Sequence, residues 1–68
     1  MNTTQIEVGG YYRVDNLIGF SKHGDRTSLR CKVLRVAGPY DVIVITADIR
    51  DAGTKLAVDT NQLKEALY

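Results

Sequence analysis

Cysteine, proline, histidine, methionine and phenylalanine each occur once in these 68 residues, and tryptophan does not occur. The lone cysteine, Cys31, excludes an intrachain disulfide. The lone histidine, His23, has no Cys or His at ligand spacing, which excludes a zinc site of the usual kind. The longest unbroken apolar run is Val42-Ile43-Val44-Ile45, far short of the roughly 20 residues a membrane-spanning helix requires. Met1-Asn2-Thr3-Thr4 offers neither a basic start nor an apolar stretch, so no secretory leader is expected and the chain reads as cytoplasmic. In that reducing setting Cys31 reads as a small buried hydrophobe. No repeat, linker or low-complexity segment interrupts the chain.

What is present is an ordinary globular composition, 44% hydrophobic and 25% charged, which argues against disorder. The length admits one domain, taken as residues 9–68, with residues 1–8 as an N-terminal arm or short edge strand. A chain this short buries only about 60% of the surface its unfolded form exposes. Its core is thin, and tight packing of a small barrel or association with another chain must compensate.

Short apolar stretches recur at roughly ten-residue intervals between turn residues, the rhythm of a small all-β domain. Gly9-Gly10 introduces a first strand, Tyr11-Tyr12-Arg13-Val14, and Ile6 and Val8 extend it or form a short edge strand. Residues 15–28 are polar, hold Gly19 and Gly24, and read as a long exposed loop carrying Leu17, Ile18 and Phe20. The second strand, residues 29–36, alternates cleanly at first: Leu29, Cys31 and Val33 inward, Arg30 and Lys32 outward. Val33 and Val36 are three apart, so a bulge near Leu34 is expected to return Val36 to the core and leave Arg35 facing water. Ala37-Gly38-Pro39-Tyr40 makes a turn, residues 40–46 a strand apolar on both faces, residues 48–53 a connection and residues 54–58 the last strand. Asp59 with Gln62 forms a capping box, and Leu63, Ala66 and Leu67 supply one apolar stripe, so the chain is expected to close on a short helix.

This order, together with Gly10-Tyr11-Tyr12-Arg13-Val14 and with Cys31-Lys32-Val33-Leu34-Arg35-Val36 in place of a glycine-led bend, resembles the Src-homology-3-like small β-barrels, including the KOW-type modules of transcription and ribosomal proteins. The resemblance covers about residues 9–67 and implies an all-β, five-stranded SH3-like barrel with a short C-terminal helix. It does not imply a function, since small barrels host many unrelated roles.

Nothing in the chain has the spacing of a catalytic constellation. Asp48 and Asp51 flank Arg50 in a turn, where Asx residues serve the backbone, and His23 reads as a solvated loop residue. No glycine-rich loop opens a helix, so a nucleotide site is not expected, nor is any cofactor or metal. The informative feature is the distribution of charge. The net charge is +1, yet residues 22–35 carry +4, while residues 1–21 carry −1 and residues 36–68 carry −2. Arg30 and Lys32 share one side of a strand, the bulge brings Arg35 beside them, and Lys22 and Arg26 extend from the loop.

With Tyr11 or Tyr12 and Phe20 as stacking groups, Tyr12 being the one assigned, these residues form a candidate surface for RNA or DNA in a non-enzymatic, regulatory role. The alternative is a small adaptor or inhibitor of the type common among phage and mobile-element accessory proteins. Its basic residues would meet an acidic protein surface, and Ile43 and Ile45 would form a homo-oligomer interface.

Overall fold

A computed structural model describes residues 6–21 and 23–67. Five strands follow in order: β1 (Tyr11–Leu17), β2 (Thr27–Val36), β3 (Asp41–Asp48), β4 (Asp51–Asp59) and β5 (Leu63–Leu67). A single 3₁₀ turn, Thr60–Gln62, separates the last two. All pairings are antiparallel and form one sheet in the order β4-β3-β2-β1-β5. The fold is therefore all-β, and the expected barrel is not closed, because β4 and β5 are the sheet's two edges.

One face of this sheet carries the core. Tyr12, Val14 and Leu17 of β1, Leu29, Cys31 and Val33 of β2, Val42 and Val44 of β3, Val58 of β4 and Leu63 of β5 form one buried cluster, joined by Ile6. No second layer of secondary structure covers that face among the described residues. Val14, Val33, Val42 and Val44 nevertheless have no exposed surface, so the sheet must coil over its own apolar side. Irregularities supply the curvature: each of the four strand pairings contains a register shift. In β1 the break lies between Val14 and Leu17, where Asn16 adopts φ 60°, and it carries the strand on to Leu17. The β1–β2 loop consequently shortens to residues 18–26.

The β2 irregularity falls between Val33 and Arg35, at Leu34. Arg35 stands opposite Ile43 on the outer face and Val36 opposite Val42 on the core face. Val36 lies at the rim, 39% exposed, and does not rejoin the core as expected, because the strand ends there and the Ala37–Tyr40 turn leaves it uncovered.

The C-terminal helix is replaced by the 3₁₀ turn and a strand. The capping box forms: the Asp59 carboxylate accepts from the Asn61 backbone at 2.8 Å, and Gln62 Oε1 accepts from the Asp59 N–H at 3.0 Å. Leu63 then returns to extended backbone, and β5 pairs along β1, with Glu65 opposite Arg13 and Leu67 opposite Tyr11. So short a helix would make few internal hydrogen bonds, whereas the free edge of β1 offers a row of partners already in place. The turn also ties the ends of the sheet together, since the Thr60 N–H donates to Tyr40 O at 2.9 Å and Gln62 Nε2 to Asp15 O at 3.0 Å.

The N-terminal segment enters through Gly9 and Gly10, which exchange hydrogen bonds with Val33 and so continue the β1–β2 ladder. Gly9 has φ 88°, and a Cβ on Gly10 would sit 3.0 Å from Glu7 O, so both positions call for glycine. Ile6 is buried before this turn, while Val8 is exposed.

Candidate functional site

Strand alternation and register decide what the outer face displays. Because Val14 is buried, Tyr12 two residues earlier faces the core, and Tyr11 and Arg13 face out. On β2, Arg30, Lys32 and Arg35 face out; on β3, Ile43 and Ile45; on β4, Lys55 and Ala57. Cross-strand partners place these groups in rows. One row runs Lys55, Ile45, Lys32, Tyr11 and Leu67 from β4 to β5, and beside it Arg30 stands opposite Arg13 and Arg13 opposite Glu65. On the other side Ala57, Ile43 and Arg35 form a shorter row.

The charges on this face are not all equivalent. Arg13 is engaged by Glu65 at 3.3 Å and Asp15 at 3.7 Å. Arg30, Lys32, Arg35 and Lys55 have no ion pair among the described residues. The Arg30 guanidinium lies 4.5 Å from the centroid of the Tyr11 ring, a cation–π contact that holds both side chains on the outer surface.

Carboxylates close to the patch are already committed. Asp48 accepts the backbone N–H of Arg30 and of Arg50, each at 3.0 Å, and the Arg50 Nε at 3.1 Å. Hydrogen bonds from the Arg50 side chain, then from the Arg50 and Arg30 backbones, hold its carboxyl well below the usual carboxylate range. The same bond raises the Arg50 pKa. Arg50 also donates to Ser28 O, which pins the tip of the β3–β4 hairpin to the start of β2. Asp51 accepts the hydroxyls of Thr46 and Thr54, both at 2.8 Å.

Of the residues singled out from sequence, Arg30, Lys32 and Arg35 come together on one strand face, with Ile43 and Ile45 beside them and half-buried. Arg26 is exposed in the β1–β2 loop, and Lys22 lies outside the described residues. Tyr12 does not belong to this surface. It is 8% exposed, and its hydroxyl accepts the Glu7 N–H at 3.1 Å, so it is a core residue and no stacking platform. Phe20 is half-buried and packs against the core, which leaves its ring largely occupied. His23 is exposed in a turn held by Ser21.

Of the two tyrosines weighed from sequence, Tyr11 and not the assigned Tyr12 faces out, and Lys55 escaped the sequence reading. Tyr11 was legible from Val14, since period two sets the phase of the strand. Lys55 was not, because only the β3–β4 register brings it opposite Ile45.

The remaining reactive group is Cys31, fully buried and donating weakly to Leu29 O. Burial, aided by the charges of Asp48 and Asp51, pushes its thiol up to about 11, which disfavours the thiolate in the folded state. No group of three His, Cys, Asp or Glu side chains converges among the described residues, and no pocket opens there. No family model, curated protein or solved structure shows significant similarity to this chain.

Proposed function

We propose that this chain is a non-enzymatic cytoplasmic module that binds nucleic acid, RNA or DNA, through the outer face of β1 to β4. The observation that carries the reading is the grouping of Arg30, Lys32, Arg35 and Lys55 on one face, without an ion pair among the described residues, around an outward tyrosine. Cations held together without local carboxylate partners are free to replace counterions along a phosphate chain. Tyr11 adds a ring of the kind on which bases stack.

The architecture we assign is a Src-homology-3-like sheet, open between its edges. Its support is the sequence of elements: a glycine-led strand, a loop, a bent basic strand, a tight turn, two further strands and a helical turn near the end. Cys31, fully buried, occupies the place of the glycine in KOW-type bends.

A salt titration tests the function. Three to four phosphate contacts give a log–log slope of affinity against salt of about −2 to −3.6. The double substitution Arg30→Glu with Lys32→Glu is expected to lower affinity at low salt at least tenfold, with the folded β-sheet retained by circular dichroism. No detectable association of the unaltered chain with either single-stranded or duplex oligonucleotides at low salt removes the reading.

Ile43 and Ile45 support a second reading. They sit half-buried within the same basic face, an arrangement suited to an acidic protein partner or a second copy of the chain. Sedimentation tests the self-associating form, and a strictly monomeric chain at high concentration eliminates it.

A further inference from the structure

Resting on the nucleic-acid reading, we infer that the ligand is single-stranded, and that it crosses the sheet from β4 to β1 with a base stacked against the Tyr11–Arg30 pair. The row Lys55, Ile45, Lys32 and Tyr11 alternates cation, aliphatic, cation and aromatic. A single strand offers phosphates and unpaired bases in turn, and this row meets both. A duplex turns its base faces inward and offers a sheet surface mostly phosphate, for which an interleaved isoleucine and tyrosine have no use.

The pair at the end of the row is suited to stacking. Arg30 covers the Tyr11 ring at 4.5 Å, and its guanidinium has no ion pair among the described residues. Planar guanidinium and ring together make a broad π surface with a positive charge, to which bases of any sequence stack.

Carboxylates lie in the rows to either side of the path. Glu65 lies beyond Arg13 on β5, and Asp41 and Asp59 stand opposite each other on β3 and β4, beyond Ile43 and Ala57. From β4 to β1 the row crosses three inter-strand gaps of about 4.8 Å, a lane of roughly 14 Å with room for a few nucleotides.

The test is fluorescence anisotropy with a labelled single-stranded octanucleotide of mixed sequence and a labelled hairpin duplex, at matched salt. The single strand is expected to bind more tightly. Tyr11→Ala should weaken it about five- to twentyfold with its salt slope unchanged, Tyr11→Phe should bind within about twofold of the unaltered chain, and neither should alter duplex binding. Both variants are checked by circular dichroism, and a Tyr11→Leu variant replaces the alanine variant if that one fails to fold. Equal or tighter duplex binding, or a Tyr11→Ala (or Tyr11→Leu) chain that binds the single strand as the unaltered chain does, overturns this inference while leaving nucleic-acid binding standing. Failure of both probes to bind overturns the inference and the reading beneath it.

Discussion

Single side chains hold this small molecule at places its thin core does not reach. Asp48 is the clearest case, because its carboxylate joins the backbone of β2, at Arg30, to the turn that follows β3, at Arg50. Its pKa in the folded chain lies well below the ordinary unfolded value near 4, so its contribution to stability is fully present above that value, begins to fall as the pH drops below it and is lost as the pH falls through the lower folded-state value. Asp48→Asn keeps one acceptor and loses the charge. It is expected to cost about 1 kcal/mol near neutral pH, after allowance for solvent screening, which lowers Tm by roughly 4–8 °C in a domain of this size. Thermal melts from pH 7 down to pH 3 check this: the gap between the two proteins should narrow as the solution is acidified, and a gap independent of pH would mean that charge has no part in the contact.

The elements show where local sequence carries enough information and where it does not. Alternation at Leu29, Cys31 and Val33 placed Arg30 and Lys32 outward, and the three-residue step from Val33 to Val36 marked the bulge, because strand faces and bulges are written within a few residues. The segment after Gln62 is different. Its capping box is a valid local signal and forms as a 3₁₀ turn, but the fate of Leu63 to Leu67 is decided by β1, some fifty positions earlier in the chain, whose outer edge would otherwise be unpaired. Lys55 was hidden for the same reason, since its neighbours on the outer face come from register and not from adjacency. If β5 is a structural strand, truncation after Gln62 removes Leu63 from the core and exposes the edge of β1. Losing one buried leucine costs about 2–5 kcal/mol, against a total of roughly 3–10 kcal/mol for a chain of this length. The truncated chain is expected to lose its cooperative urea transition at 25 °C; retention of a full transition would assign the segment to the periphery.

At the scale of the whole molecule, one sheet divides its labour between two faces. The inner face is apolar and coils over itself, and the outer face gathers cations without an ion pair among the described residues from β2 and β4, which lie in stretches of opposite net charge. An overall charge of +1 therefore conceals a local grouping of cations on β2, and under the proposed function this is the side a nucleic acid meets. The most direct test is a backbone amide NMR titration of the unaltered chain with a short single-stranded oligonucleotide at low salt. The account predicts chemical-shift changes that cluster at Tyr11, Arg30, Lys32, Arg35, Ile45 and Lys55 and saturate together. A spectrum that does not change, or changes confined to β5 and the Ala37–Tyr40 turn, would contradict it.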